Sequence, residues 1–151
     1  MKVSLTKGAS EGPTKLNAFD NALLEAQIGN VNLIPVSSML PPNTQLIPMP
    51  KITPGKMVNC VLSHQYSDKP GDEITAVIAY CQAKEMGCVI ETKGINKSTQ
   101  ELKEEAKFMA EYMMKKRNLD IINYEEIVQT HTVKEKASVV AALVYHNPPR
   151  H

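Results

Sequence analysis

Tryptophan is absent, phenylalanine occurs twice, and neither GxGxxG nor GxxxxGK[ST] marks a nucleotide site. Charge of one sign is missing too. Seventeen Lys and Arg against sixteen Asp and Glu leave a net charge of +1, which excludes the basic field that nucleic acid or anionic lipid requires. No stretch of about 18 uninterrupted apolar residues exists, so no helix is expected to span a bilayer. Three cysteines without CxxC spacing, in a sequence with no signal peptide, argue against a secreted disulfide scaffold and for a reducing cytoplasmic interior. What is present is one domain's worth of chain: 151 residues, 42% apolar and 22% charged, long enough to bury about 68–70% of its unfolded surface. Proline is the one residue in local excess, with six of ten lying between Pro35 and Pro54.

VSLTKG (3–8) alternates as a strand does, and GASEGPTK (8–15) has loop composition. In LNAFDNALLEAQIGN, Leu16, Phe19, Leu23 and Ala26 recur at helical steps, and Gly29 stands where a left-handed C-terminal cap is expected. NVNLIPVSS (30–38) leans towards β, with Pro35 suited to an edge strand. The proline-rich stretch after it is a stiff surface crossing. MVNCVLSHQY and EITAVIAYCQA, joined by SDKPGD, read as an antiparallel hairpin, and GCVIETKG (87–94) as a further strand. Ser98 and Glu101 form a capping box for a second helix with an apolar stripe of Leu102, Ala106, Met109 and Met113. IINYEEIVQTHTV and ASVVAALVYH are two final strands and HNPPRH a frayed tail. About seven strands and two helices in this order predict an α+β sandwich.

Most candidate groups have structural readings. Cys60, Cys81 and Cys88 are buried thiols, and His64, His131, His146 and His151 lack metal-ligand spacing. Lys115, Lys116 and Arg117 complement a helix C-terminus. GASEG reads as a turn, and no GxSxG surrounds Ser37 or Ser38. The pair Ser37-Ser38, two residues before Pro41-Pro42, permits more than a turn. A serine hydroxyl can attack the carbonyl preceding its own nitrogen when the backbone is held in the right shape. The ester formed eliminates to dehydroalanine, which hydrolyses to a pyruvoyl group. Such a ketone does the work of pyridoxal phosphate without an external cofactor.

The segment GASEGPTKLNAFDNALLEAQIGNVNLIPVSSMLPP (8–42) closely resembles the pyruvoyl-dependent arginine decarboxylases of archaea and some bacteria. The markers are GxSEG, LNAFDxALxxAxIGNVNLI and SSxxPP, followed by PGxxI (70–74), GCVIETKG and HTV (131–133). The resemblance implies a four-layer αββα protomer with mostly antiparallel strands, made as a single-domain precursor, 1–151. It implies cleavage between Ser37 and Ser38 into a β chain (1–37) and an α chain (38–151) that begins with pyruvoyl. It also implies that Asn32 assists processing or catalysis, that Asp20 holds the substrate guanidinium, and that Glu91, near a strand end, returns a proton after decarboxylation. The implied reaction takes L-arginine to agmatine and carbon dioxide through a Schiff base, with no metal and no pyridoxal phosphate. The implied assembly is a homotrimer, or a dimer of trimers, with active sites between protomers and no nucleic-acid or membrane partner. Two alternatives stay open: a pyruvoyl decarboxylase of another amino acid, and an uncleaved, non-catalytic trimer subunit.

Overall fold

Strand pairing divides the apolar runs of the sequence between two sheets. In the computed structural model, which describes residues 1–146, the elements run β1 (Lys2–Glu11), α1 (Lys15–Glu25), β2 (Asn32–Pro35), β3 (Met39–Leu40), β4 (Gln45–Leu46), β5 (Met57–Ser67), β6 (Glu73–Ala83), β7 (Gly87–Ile95), α2 (Thr99–Lys116), β8 (Ile121–Thr132) and β9 (Ala137–His146). The first sheet has the order β2-β5-β9-β1-β4 and the second β3-β7-β6-β8. Long pairings are antiparallel, while the short edge strands β2 and β4 run parallel to β5 and β1. The sequence tail 147–151 lies outside the described residues, and His151 with it.

Three apolar clusters fill the three gaps of a four-layer αββα stack. Val3, Val61, Ile78, Tyr80, Val89 and Leu143 join the two sheets. Val77, Cys81, Ile90, Leu102, Ala106 and Met114 join the second sheet to α2. Ala22, Leu23, Ile28, Val140 and Val144 join α1 to the first sheet. The central strands β6 and β9 are covered on both faces, so their sequences are continuous apolar runs instead of alternating ones.

Several expectations need correction. MVNCVLSHQY and EITAVIAYCQA do not pair with one another: β5 bonds to β2 and β9, and β6 to β7 and β8. The SDKPGD segment therefore arches between sheets, held by Ser67 Oγ donating to buried Asp72 at 2.7 Å and by Asn96 Nδ2 donating to the same carboxylate at 3.1 Å. In α2 the buried row is Leu102, Ala106, Ala110 and Met114, with Met109 and Met113 only half-buried beside it. In α1 the buried residues are Ala18, Ala22 and Leu23, while Leu16 is 73% exposed. Both helices favour alanine at the centre of the contact because it lets the helix lie close to a flat sheet. Finally, the left-handed residue ending α1 is Gln27, at φ 66°, and not Gly29. Ile28 N–H bonds to Leu23 O and Gln27 N–H to Leu24 O, closing a Schellman motif. Gly29 packs against Leu24, where a Cβ would lie 2.7 Å from its side chain.

GASEG (8–12), read as part of a loop and as a turn, instead carries β1 on to Glu11, which pairs with Ala137 of β9. The ends of the second helix are as expected. Ser98 Oγ accepts from Glu101 N–H at 3.0 Å, with Lys115 and Lys116 in the last turn of α2 and Arg117 donating to Met113 O. All three cysteines are buried and free. Pro35 ends an edge strand, and the stretch from there to β5 carries only the two-residue strands β3 and β4, too short to register in a sequence pattern.

Candidate active site

Residues 36–39 carry the chain from one sheet to the other. Val36 N–H makes the last bond to the first sheet, to Cys60 O on β5 at 2.9 Å. Two residues later Ser38 O accepts from Val89 N–H on β7 at 2.8 Å, which is the first bond to the second sheet. The Ser37–Ser38 peptide thus crosses the seam between sheets and is tied on both sides. Ser37 is exposed and Ser38 half-buried.

Met39 stands opposite Cys88, and the ladder bond from Val89 to Ser38 brackets that pair. In an antiparallel ladder this makes 39 and 88 a non-hydrogen-bonded pair, so the N–H and C=O of Met39 point away from β7. Both find partners. The Met39 N–H donates to Ser37 O at 3.0 Å, closing a γ-turn on Ser38, which keeps a negative φ. The Met39 carbonyl accepts from Tyr145 Oη, on β9 of the opposite sheet, at 2.9 Å. Downstream, Pro41 O accepts from Thr44 Oγ1 at 2.8 Å and from Gln82 Nε2 at 3.2 Å, and Tyr80 Oη donates to Thr44 O at 3.4 Å. The stiff stretch after the serines is therefore pinned to β6 as well as restricted by its prolines.

Glu91 lies in the middle of β7 and is exposed, so its expected place near a strand end is corrected. Side chains two apart share a face of a strand, so Glu91 lies on the face of Val89, about 7 Å along β7 from the residue that binds Ser38. The outer edge of β7 is covered by β3 only at Gly87 and Cys88, which leaves the edge open at Glu91. Ser63 Oγ on β5 donates to Thr92 O at 2.7 Å and closes the seam beside it.

Asn32 and Asp20 are placed elsewhere. Asn32 opens β2, and its side-chain Nδ2 donates to Gly55 O at 3.0 Å, clasping the turn that precedes β5. Asp20 lies on the exposed face of α1, away from the buried row Ala18, Ala22 and Leu23. The cleft between the end of α1 and the proline segment, lined by Gln27, Asn30, Pro50 and Ile52, contains neither Asp20, Asn32, Glu91 nor the serines. The chain therefore gathers Ser37, Ser38 and Glu91 along one seam and leaves Asp20 outside it.

The family model for pyruvoyl-dependent arginine decarboxylase matches residues 2–148. The chain belongs to this family. It is 48% identical over 145 residues to the pyruvoyl-dependent arginine decarboxylase of Methanothermobacter thermautotrophicus, covering 96% of each chain. It is 39% identical over 143 residues to that of Methanocaldococcus jannaschii, covering 93% of this chain and 86% of the relative. With the Pyrococcus furiosus protein of the same name it shares 39% identity over 148 residues, covering 95% and 93%.

Within the family pattern, GxSEG has a structural use. A Cβ on Gly8 would lie 2.3 Å from Ala22 O, and one on Gly12 would lie 2.4 Å from Ala18 N, so both glycines let α1 rest on β1. The Glu11 carboxylate accepts from the N–H groups of Lys134, Glu135 and Lys136 and from His131 Nε2, which fixes the β8–β9 turn. Sequence reasoning missed Tyr145 at the seam. It closes the apolar run ASVVAALVYH, and nothing in that run separates a hydroxyl that bonds across the sandwich from one that meets water. His146, expected in the tail, ends β9 and bonds Ser4 Oγ at 2.8 Å.

Proposed function

We propose that this chain is a precursor that cuts itself between Ser37 and Ser38 and then, as a pyruvoyl enzyme, decarboxylates L-arginine to agmatine and carbon dioxide. The observation that carries the reading is the peptide that crosses the seam, held by Val36 and Ser38 to different sheets with a donor already on the Ser37 carbonyl. Its fit to the group is chemical. Ser38 supplies the hydroxyl and the three carbons of a pyruvoyl, and the bond from Val89 keeps the new terminus in place after the cut. The names of the relatives supply the substrate.

The pyruvoyl group, once made, supplies a ketone for the substrate amine and an electron sink for the carbon that loses carbon dioxide. The protein's side chains do the rest. Glu91, on the open edge of β7, is the acid that returns a proton to the substrate α-carbon. Asp20, exposed on α1, accepts two parallel N–H bonds from the guanidinium, and it reaches the seam of a neighbouring protomer in a homotrimer. Asn32 holds the turn before β5 and with it the strand to which Val36 is tied.

Intact mass of the purified protein tests the cut. Two species of 37 and 114 residues, from 151 − 37, are expected, with a summed mass of the chain plus water minus ammonia. Ser38→Ala should remain one inactive 151-residue species. Carbon dioxide release from labelled arginine, against lysine, histidine and aspartate, tests the substrate. A wild-type chain that stays whole overturns the reading, and release from another amino acid alone overturns arginine.

A further inference from the structure

We infer that the backbone N–H of Met39 is the oxyanion donor for self-cleavage, and that the Tyr145 hydroxyl is the positioning group that aims it. The inference rests on the self-processing reading above and adds to it the group that stabilises its first transition state. The geometry is as follows. The Ser37 carbonyl is the electrophile, and it already accepts the Met39 N–H at 3.0 Å. That N–H is available because residue 39 occupies a non-hydrogen-bonded position opposite Cys88, so the ladder makes no use of it. The peptide plane that follows is fixed at its other end, since Met39 O accepts from Tyr145 Oη at 2.9 Å. Tyr145 is itself half-buried against the core between the sheets and paired with Val3, so its hydroxyl is held by a rigid strand.

In the first step Ser38 Oγ bonds to the Ser37 carbonyl carbon, and negative charge collects on the oxygen that holds the Met39 N–H. The carbon–nitrogen bond to Ser38 then breaks, and the hydroxyl proton passes to that nitrogen, leaving an ester and a free amine. In the second step the Ser38 Cα proton leaves, the Cβ–O bond breaks, and Ser37 departs as a carboxylate. Water then replaces the nitrogen as ammonia. The first step places the developing charge on the Ser37 carbonyl oxygen alone, whereas the carboxylate that leaves in the second spreads it over two oxygens, so the Met39 donor acts chiefly in the first.

Two changes test the assignment in cell-free translation followed by denaturing gel and intact mass. Replacing residue 39 by the α-hydroxy analogue of methionine swaps the N–H for an ester oxygen and leaves the side chain intact. Cleavage at 37/38 is expected to slow by about 100-fold or more, the usual cost of one oxyanion donor. Tyr145→Phe should slow it by about tenfold with an unchanged melting temperature. Added hydroxylamine should not rescue this variant, because it cleaves an ester that is not being formed; a variant defective in elimination would be rescued. Cleavage of the hydroxy-acid chain at the wild-type rate overturns the donor. Hydroxylamine rescue of Tyr145→Phe, or its cleavage at the wild-type rate, overturns the positioning role. If Tyr145→Phe does not fold, the hydroxy-acid chain decides the donor and Tyr145 is withdrawn. A Ser38→Ala chain that still cleaves at this bond brings down the underlying reading instead.

Discussion

At the scale of single residues, Glu11 and His64 show how surroundings move a pKa in opposite balances of burial and hydrogen bonding. Burial works against ionisation of Glu11, but the N–H groups of Glu135 and Lys134 and the His131 ring outweigh it and hold its pKa down. His64, half-buried on β5, packs against Phe19 with the rings tilted 45° and their centroids 4.3 Å apart, and contacts Ser138 Oγ at 3.1 Å. Burial first, then repulsion from Lys93 and Lys15, lowers its pKa to about 4. Above the unfolded value near 6.5 the ring is neutral in both states, and its stabilising contribution is intact. As pH falls from about 6.5 towards 4, the unfolded chain takes up a proton that the folded chain refuses, so stability is lost across that window. A loss on the order of 1–2 kcal/mol is expected, below the full shift because the ring is partly solvated. Urea midpoints measured from pH 7.5 to 4 should fall less steeply for His64→Gln than for wild type. Parallel slopes would assign the acid sensitivity to the carboxylates.

At the scale of elements, α1 is set by what lies beneath it. Thr14 caps its N-terminus by accepting from Asn17 N–H at 3.1 Å, and the helix then crosses β1 over Gly8 with no room for a side chain. Gly8→Ala puts a methyl group 2.3 Å from a backbone carbonyl that cannot rotate away. The helix must lift, and a loss of about 1–3 kcal/mol is expected, about 2–12 °C in melting temperature for a chain of this size. Gly55→Ala, with nothing within 4 Å but φ at +81°, gives the contrasting case of backbone conformation without crowding. A melting temperature unchanged in Gly8→Ala would show that α1 does not pack as closely as described. The helices and their starts were legible because capping residues act locally, as Ser98 with Glu101 does. The buried rows were shifted because bulk marks a stripe in sequence, whereas a helix lying flat on a sheet buries its small residues. The β5–β6 hairpin was misread for a related reason. A turn such as SDKPGD specifies a reversal of direction, and whether the next strand joins the same sheet depends on partners far along the chain, here β9 for β5 and β8 for β6.

For the molecule as a whole, the αββα stack brings the two ends of the crossover to one seam, and this is the part of the site that local sequence could not show. Ser37 and Ser38 were legible as a motif, and Glu91 as part of GCVIETKG. Their proximity comes from the register that sets Met39 against Cys88. Asp20 and the seam stay apart within the chain, because α1 covers the far face of the first sheet and presents Asp20 outward. In the proposed homotrimer, a substrate held at both ends meets two copies of the chain. This has a consequence that separate single mutants cannot reveal. Asp20→Asn should process normally but lose arginine turnover through a raised KM, and Ser38→Ala should fail to process while its Asp20 remains intact. Co-expressed and purified through a tag on each, the two inactive chains should form mixed oligomers that regain part of the wild-type rate, since a Ser38 from one copy meets an Asp20 from the other. Two separately purified pools, mixed without subunit exchange, should stay inactive. If mixed oligomers form and show no activity, Asp20 acts within its own protomer or not at all, and the guanidinium partner must be sought among residues nearer Glu91.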